Sequence, residues 1–164
     1  MIPEDLKECL IGVISDTHGR ITRPLAEVLS GVDLIIHAGD IDNSETLEAL
    51  MAIAPVVAVR GNMDRGNWSR GLHKSELIEI GEVILYVIHN LEEMDIDPES
   101  INVSAVISGH THRSSLKQQG PVLFVNPGSA THPRDHQPPS VVMMRISARK
   151  VNARLKKIPG RQAQ

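Results

Sequence analysis

LIGVISDTH, residues 10–18, is an apolar run that stops at a carboxylate and an imidazole two positions apart. A short run of this kind is typical of a β-strand that is buried on both faces. Because residues i and i+2 of an extended chain point the same way, Asp16 and His18 are predicted to face one metal ion with an oxygen and a nitrogen. The stretch therefore predicts a pair of metal ligands at the end of a strand.

The same arrangement, an apolar run that ends in a residue able to bind a metal, recurs four more times. The runs are residues 34–39 before Asp40, 55–61 before Asn62, 83–88 before His89, and 105–109 before His110 and His112. Ligands of open α/β sheets bind outside the carboxyl ends of the strands, so the five strands are predicted to bring these residues to one edge. The glycine before three of the ligands, at positions 39, 61 and 109, indicates a sharp turn or a close approach of the backbone to bound groups.

The predicted ligands all offer oxygen or nitrogen, and they are Asp16, His18, Asp40, Asn62, His89, His110 and His112. Seven such ligands are too many for one ion. Two divalent ions about 3.5–4 Å apart that share one carboxylate would use all of them. A ligand set without thiolate suits Mn²⁺, Fe²⁺, Co²⁺, Ni²⁺ or Zn²⁺, and the order of affinities does not decide among these ions. We expect Mn²⁺ in a working assay.

In chain order the motifs are DTH, GD, GNMD, a strand-end histidine and GHTH, followed by NPGS at residues 126–129 and Pro133-Arg134. This order resembles the calcineurin-like metallophosphoesterase superfamily over roughly residues 10–135. The chain looks most like the small, single-domain bacterial and archaeal phosphodiesterases, which are related to the retromer-type scaffold subunit. The resemblance implies an α/β fold, namely an αββα sandwich of two mixed β-sheets flanked by helices.

The resemblance also implies a division of the ligands between two metals. One metal is bound by Asp16, His18 and His112, the other by Asn62, His89 and His110, and Asp40 bridges both. The residues predicted to be catalytic are Asp40, Asn62 and His110. A hydroxide held between two divalent ions is a nucleophile at neutral pH, and it is predicted to attack phosphorus in line. The protein then contributes mainly positioning and electrostatic stabilisation.

Two positions depart from the family pattern. Many larger members carry a histidine directly after the asparagine ligand, where it is taken to help protonate the leaving group, but this chain has Met63. Members without that histidine resemble phosphodiesterases with activated leaving groups more than efficient monoester phosphatases. After His89 the family often has Gly-His, whereas this chain has Asn90-Leu91, which alters the support of His89.

Other polar residues near the motifs are candidates for the remaining roles. The candidate proton donors to the leaving oxygen are metal-bound water, Asp64, His132 and His136, and our hypothesis is that none acts strongly. Arginines that flank the motifs are candidates for bidentate phosphate binding, with Arg113 and Arg134 favoured over Arg60 and Arg65. His37 is predicted to be a satisfied core histidine or a residue that supports a metal ligand, because it lies within a strand.

Between the motifs, the pattern predicts alternating strands and helices over the first sixty residues and hairpins thereafter. Thr22 is predicted to cap one helix, with Pro24 in its first turn, and Asp42 and Glu45 have the spacing of a capping box for a second. Two hairpins are predicted, at residues 76–88 and 114–125, and residues 91–104 allow a short helix at most. Residues 127–139 are predicted to form a loop near the site, and strands at 141–146 and 151–158 close the chain.

Composition narrows the class of protein. A chain of 164 residues is predicted to form one domain, residues 1–164. A formal net charge of −3 and only three aromatic residues disfavour nucleic acid and anionic membranes as partners. The single cysteine, Cys9, and the lack of a long apolar segment near the N-terminus predict a cytoplasmic protein. Edge strands and the apolar pair Met143-Met144 make a homodimer or a higher homo-oligomer a hypothesis.

Three functions are consistent with these features. The first is a metal-dependent phosphodiesterase that acts on a small phosphodiester. The second is a phosphomonoesterase on nucleotides or sugar phosphates, which would use the same centre with a different pocket. The third is a non-catalytic protein-binding scaffold on the same fold. All seven ligands are present, which disfavours the scaffold, although Met63 and Asn90 keep it open.

Overall fold

The alternation of apolar runs and polar stops produces ten β-strands and two α-helices in the computed structural model, which describes residues 8–160. The strands are β1 Glu8–Ile14, β2 Leu34–His37, β3 Val56–Ala58, β4 Ser75–Ile80, β5 Val83–Ile88, β6 Val103–Ile107, β7 Ser114–Gln119, β8 Val122–Pro127, β9 Ser140–Ser147 and β10 Lys150–Lys157. The helices are α1 Arg23–Leu29 and α2 Ser44–Met51, and two 3-10 segments are Asn67–Gly71 and Leu91–Glu93.

The strands form two five-stranded sheets, and both are mixed. The first has the order β10-β9-β1-β2-β3, with β1, β2 and β3 parallel and β9 antiparallel to β1. The second has the order β4-β5-β6-β8-β7, with β5, β6 and β8 parallel and an antiparallel strand at each edge. The fold class predicted from the resemblance is confirmed, and so are both predicted hairpins.

The main core lies between the two sheets and is aliphatic. Ile11 and Val13 of β1 pack there with Leu85 and Val87 of β5, and all four side chains are fully buried. The alternate residues of the first sheet face outward and are covered by α1 and α2. The strand in the opening stretch is therefore buried on both faces, as its continuous apolar run predicts.

The outer face of the second sheet has a thinner cover. Tyr86, Ile88 and Val106 form a smaller cluster there, against which Met94 and Ile96 pack. These two side chains belong to the segment after β5, whose only helical part is the 3-10 segment Leu91–Glu93. Pro98 is incompatible with a longer helix in this segment, and the segment has only a short one, as predicted.

The two helix starts show one correct prediction and one error. The Thr22 hydroxyl accepts a hydrogen bond from the N–H of Leu25 at 3.3 Å, so Thr22 caps α1 as predicted. For α2 the cap is Asn43, whose side chain accepts from the N–H of Thr46 at 2.9 Å. The predicted cap, Asp42, has a left-handed backbone (φ 77°), and its carboxylate points away from the helix.

Two further features bear on the sequence predictions. Met144 is fully buried between the sheets, and Met143 packs with the cluster beneath α1. The two side chains therefore pack within the protein, and the oligomer hypothesis stays a prediction. Among residues 8–160, no helix is long and apolar enough to cross a lipid bilayer.

Candidate metal centre

The carboxyl ends of five strands meet at one rim of the molecule. In the first sheet Ile14 pairs with His37, and His37 pairs with Ala58, so β1, β2 and β3 end side by side. In the second sheet Val87 pairs with Ile107, so β5 and β6 also end together. The sequence predicted one sheet edge. The structure instead brings three ends from one sheet and two from the other, and the ligand residues converge between them.

Most of the predicted ligands have a left-handed backbone, with positive φ at Asp16, His18, Asp40, His110 and His112. The strand β1 ends at Ile14, so the extended-chain argument for Asp16 and His18 is wrong. Their side chains converge because two turns redirect the backbone after the strand. Hydrogen bonds from the N–H of Asp16 to the Gly39 carbonyl (3.0 Å) and from the N–H of His18 to the Asp40 carbonyl (3.1 Å) hold these turns.

Glycine is required where the ligand loops approach one another. A Cβ on Gly61 would lie 2.1 Å from Oδ1 of Asp40 and 2.3 Å from its backbone nitrogen. A Cβ on Gly109 would lie 1.9 Å from the hydroxyl oxygen of Ser15 and 2.7 Å from Oδ2 of Asp16. The backbone at these glycines therefore approaches the ligand loops closely, and the predicted approach to bound groups stays a prediction.

The first group of converging atoms belongs to Asp16, His18 and His112. Oδ1 of Asp16 lies 3.3 Å from Nε2 of His112 and 3.9 Å from Nε2 of His18. The two imidazole Nε2 atoms are only 3.2 Å apart. Three ligand atoms of these residues therefore lie close enough together to bind one ion.

The second group belongs to Asn62, His89 and His110. Oδ1 of Asn62 lies 3.0 Å from Nε2 of His89 and 3.2 Å from Nδ1 of His110. The carboxylate of Asp40 lies between the two groups, because its Oδ2 is 3.4 Å from Nε2 of His89 and 4.0 Å from Nε2 of His18. The other oxygen of Asp40 accepts a hydrogen bond from the N–H of Met63 at 2.9 Å.

Hydrogen bonds behind the rings select the tautomer of three of the four histidines. The Nδ1–H group of His89 donates to the Ala38 carbonyl (2.7 Å), and that of His112 donates to the His132 carbonyl (2.6 Å). The Nδ1–H group of His18 donates to Oδ2 of Asp42 at 3.1 Å. In each case the Nε2 lone pair is left facing the centre, which is the arrangement that metal-binding histidines need.

The charges at the centre favour a cation. Burial alone would raise the pKa of Asp16, but the His112 imidazole, when it is protonated, and the Ser15 hydroxyl, which donates to Oδ2, outweigh burial and lower it. Burial also opposes ionisation of Asp40, yet the imidazole of His89, when it is protonated, lowers the Asp40 pKa below its ordinary value. In turn, the Asp16 carboxylate raises the pKa of His112. Two buried carboxylates thus draw positive charge to this point, and a divalent cation would take the place of those protons.

One buried atom tests whether these residues fit a metal. Oδ1 of Asp16 is buried and has no hydrogen-bond partner among residues 8–160, although Oδ2 accepts from Ser15 (2.6 Å) and from the N–H of His110 (3.1 Å). A buried carboxylate oxygen without a donor is costly unless an ion binds it. The atoms that face Oδ1 are imidazole nitrogens with inward lone pairs, so the donor set fits a divalent cation bound by oxygen and nitrogen.

Asp64, a candidate proton donor on sequence grounds, has a structural role instead. It is 3% exposed, and its two oxygens accept hydrogen bonds from four backbone N–H groups at 2.7 to 3.0 Å. The N–H groups belong to Asp40, Ile41, Asp42 and Gly61. The carboxylate of Asp64 therefore shapes the loop that carries Asp40. Each of its two oxygens already accepts two hydrogen bonds from backbone N–H groups.

The histidines outside the ligand set have distinct surroundings. His37 is fully buried, its Nδ1 accepts from the N–H of Gly39 (3.1 Å), and its Nε2–H donates to the Thr17 hydroxyl (2.9 Å). Burial lowers the pKa of His37 to about 3, so it is a neutral, satisfied core residue, as predicted. The ring of His132 lies edge-on to that of His18, with ring centroids 5.6 Å apart, at the rim of the centre. His136 is exposed.

The two favoured arginines differ in their availability for a phosphate. Arg113 forms an ion pair with Asp135, and both side chains are more than half exposed. Arg134 is exposed, and its positive charge reaches His112 and opposes protonation of that ring. Arg134 therefore lies within electrostatic range of the first group of ligands. Its part in substrate binding, like that of Arg113, stays a prediction.

Sequence reasoning missed Asp42 as part of the site. The spacing of Asp42 and Glu45 suggested a helix cap, but the N–H of Asp42 donates to Asp64 at 2.8 Å and the Asp42 carboxylate binds His18. An aspartate two positions after Asp40 could cap the helix or hydrogen-bond a metal-binding histidine. The local sequence is the same in both cases, so it does not distinguish the two roles. The partner that decides, His18, lies 24 positions away in the chain.

We expect the variant Asp42→Gly to bind divalent metal about 10- to 100-fold more weakly, because His18 loses the acceptor that orients its ring. Glycine accepts the left-handed backbone at this position, so the variant isolates the loss of the carboxylate. Titration of chelator-treated protein with Mn²⁺ measures the affinity. The matched variant Asp42→Asn keeps an oxygen acceptor and should remain within a few-fold of the native protein. Equal affinity in the glycine variant would contradict this role.

Comparisons with known proteins agree with this geometry. Residues 9–149 match the family model described as the calcineurin-like phosphoesterase superfamily domain. The chain is 38% identical over 138 residues to a probable metallophosphoesterase of Methanocaldococcus jannaschii, a match that covers 76% of this chain and 70% of that protein. It is 34% identical over 158 residues to a probable metallophosphoesterase of Methanothermobacter thermautotrophicus, which covers 89% and 91% of the two chains.

Solved structures share the fold. A conserved Streptococcus pneumoniae protein, described as a predicted phosphoesterase, superposes with a TM-score of 0.71 at 24% identity, over 92% of this chain and 90% of that one. Vps29 from Entamoeba histolytica, complexed with Zn²⁺, superposes with a TM-score of 0.73 at 25% identity, over 92% and 99% of the two chains. The two-sheet architecture is thus common to a phosphoesterase group and to Vps29.

Proposed function

The chain belongs to the calcineurin-like phosphoesterase superfamily, and from that premise we propose that it hydrolyses a small phosphodiester at a centre of two divalent metal ions. One observation carries the proposal. The Asp40 carboxylate lies between two groups of inward-facing oxygen and nitrogen atoms, 3.4 Å from His89 on one side and 4.0 Å from His18 on the other. An arrangement of acceptors around a shared carboxylate is suited to a pair of cations.

The residues that would hold the two ions are Asp16, His18 and His112 on one side, Asn62, His89 and His110 on the other, and Asp40 between them. When bound, such a pair supplies a hydroxide nucleophile at neutral pH and neutralises charge on the phosphoryl oxygens. We propose Mn²⁺ as the working ion, with Ni²⁺, Fe²⁺, Co²⁺ and Zn²⁺ as alternatives that the same atoms accommodate.

The chain's own residues then position the reactants. The N–H of Met63 fixes one oxygen of Asp40, so the other oxygen stays aimed at both ligand groups. Ser15 and the N–H of His110 hold Asp16 in the same way. Arg134 is exposed and adds positive charge within electrostatic range of His112, and we propose that it attracts the oxygens of the phosphoryl group. Each contact is formed before substrate binds, which reduces the reorganisation needed at the moment of reaction.

A diester fits this site better than a monoester. A monoester carries one more negative charge, and its loose transition state places more charge on the leaving oxygen, so it depends more on cations and on a proton donor. At the position after Asn62 the chain offers Met63, which is 47% exposed and has no proton to give. Asp64 is engaged by four backbone N–H groups. These observations support a singly charged substrate with a good leaving group.

The experiment that tests the proposal combines metal analysis with two chromogenic substrates. The purified protein is analysed for bound metal and then assayed with added Mn²⁺ on bis-p-nitrophenyl phosphate and on p-nitrophenyl phosphate. We expect two metal ions per chain and a higher kcat/KM for the diester. A higher kcat/KM for the monoester would favour the phosphomonoesterase on nucleotides or sugar phosphates.

We also expect hydrolysis rates to rise steeply as the leaving group becomes more acidic, because Met63 has no proton to give and our hypothesis is that no other group protonates the leaving oxygen strongly. A series of aryl methyl phosphates with phenols of different pKa measures this dependence. His132, which lies at the other side of the centre beside His18, is replaced by alanine as a comparison and should leave the slope unchanged. A slope near zero in the native protein would contradict the hypothesis that no acid acts.

The scaffold alternative is supported by the likeness to Vps29. That likeness includes a Vps29 structure complexed with Zn²⁺, so metal binding alone does not decide between the two functions. The same assays separate the two functions. Metal bound at full occupancy without turnover of either chromogenic ester, for any of the divalent ions, would favour the scaffold.

A further inference from the structure

A large groove opens at the same rim as the candidate metal centre. It has a volume of about 820 Å³ and is lined by residues 19–24, 130–131, 139 and 158–160. We call it the rim groove. A volume of this size is in the range of sites that bind nucleotide-sized ligands.

The strand register places the rim groove next to the first ligand group. Val13 near the end of β1 pairs with Val142 near the start of β9, and Ser140 at the start of β9 pairs with Lys157 at the end of β10. The start of β9 and the end of β10 therefore lie beside the end of β1, and Asp16 and His18 follow β1 in the chain. Residues next to these strand ends line the groove. Gly19 directly follows His18 in the chain, so the groove begins where the ligand loop ends.

A second, smaller depression lies on the other side of the centre. It has a volume of about 360 Å³, and its walls include Asn62, His89 and His110, the second ligand group. The charges of its lining residues nearly cancel. Lys74 forms an ion pair with Glu93 at 2.8 Å, which leaves the charge of Arg60 as the one without an opposite charge in the lining. The centre is thus flanked by two depressions of different size and charge.

The rim groove combines apolar walls with positive charge. Ile21, Pro24 and Ile158 provide apolar surface. Arg20 and Arg23 lie on the same wall, and none of the described residues that line the groove is acidic. Arg23 donates to Glu27 through Nε at 2.9 Å, but both side chains of that pair are largely exposed and the pair is screened by water. The groove therefore suits an apolar or ring-shaped group that carries a negative charge.

Resting on the proposed diesterase function, we propose that the rim groove binds the larger ester substituent of the substrate, an apolar or ring-bearing group with a further anionic group held by Arg20 and Arg23. The leaving group then lies in the smaller depression beside Asn62. A monoester has one substituent and would fill only one depression, whereas a diester with two unlike substituents fills both. The substrate class is therefore an asymmetric diester with one larger, anionic arm.

Two probes that differ by one phosphate test the proposal. They are the p-nitrophenyl ester of thymidine 5′-phosphate and the same compound with a 3′-phosphate. In the native protein we expect the 3′-phosphorylated probe to have a KM about tenfold lower, since charge-assisted hydrogen bonds to a phosphate are strong. The double variant Arg20→Ala, Arg23→Ala should lose this preference. The control Arg70→Ala removes an exposed arginine outside the groove and should keep it.

Two outcomes would overturn the proposal. One is an equal KM for the two probes in the native protein, and the other is a preference that survives in the double variant. If neither probe is hydrolysed with any divalent ion, the proposed function fails. The role of the groove is then tested by a binding measurement that does not depend on hydrolysis. Calorimetry with thymidine 3′,5′-bisphosphate and chelator-treated protein should then show about tenfold weaker binding in the double variant than in Arg70→Ala. Equal affinities would overturn the assignment of the groove.

Discussion

The variant Asp40→Asn is expected to lower kcat/KM for a phosphodiester by about 10³-fold and to reduce the metal content below two ions per chain. Among residues 8–160, Asp40 is the one carboxylate within 4.0 Å of imidazole nitrogens from both ligand groups. Asparagine has the same size, tolerates the left-handed backbone (φ 59°), and keeps an oxygen for the N–H of Met63. The variant therefore removes charge from the centre and leaves the fold in place.

Steady-state kinetics and elemental analysis measure the two effects, and circular dichroism verifies the fold. The control Asp95→Asn removes the same charge from an exposed loop position and should change kcat/KM by less than about twofold. Asp40→Ala is expected to behave like Asp40→Asn, with a small additional loss of stability from the strained backbone. Folded variants at position 40 that turn over at the native rate would rule out a bridging role for this carboxylate.

The second large effect is expected from a single methyl group. In Gly61→Ala the new Cβ would lie 2.1 Å from Oδ1 of Asp40 and 2.3 Å from its backbone nitrogen, distances that real contacts do not reach. The Asp40 loop must move, so we expect kcat/KM to fall by at least about 100-fold and the affinity for Mn²⁺ to fall with it. The same assays as for position 40 measure both quantities.

Gly71→Ala is the matched control. A Cβ on Gly71 meets no atom within 4 Å, so the same chemical change is expected to be nearly silent there. If Gly61→Ala binds metal and turns over substrate like Gly71→Ala, the close packing of the two ligand loops is not needed for the site. The melting temperature of Gly61→Ala distinguishes a loss of folding from a local loss of metal binding. Gly61→Ser has a Cβ at the same place and should show the same loss.

The sequence predicts the strands and the ligand residues because both follow from local pattern. Apolar runs that end in Asp, Asn or His mark buried strands and their polar ends, and those residues do meet at one rim. The two-sheet arrangement is not readable from the runs themselves, because β3 and β5 look alike in sequence but belong to different sheets. Only the resemblance to a known family supplied that part of the prediction.

The errors concern how backbone and side chains are held, and they have a common cause. Asp16 and His18 were expected to converge through an extended chain, and Asp42 was expected to cap a helix. In each case the outcome depends on a hydrogen bond to a residue more than twenty positions away, such as Gly39 for Asp16 and His18 for Asp42. Local propensity carries no information about such partners, so these details require the fold.

The left-handed backbone at five of the seven predicted ligands has a consequence for reading related sequences. Asp, Asn, His and Gly tolerate this conformation better than β-branched residues do, so mutation toward valine or isoleucine is penalised even where no ion binds. A related protein that has lost catalytic activity would therefore keep many of the motif residues because the backbone conformation favours them. Positions without a left-handed backbone, such as that of Met63, are therefore better indicators of lost activity than the motif residues themselves.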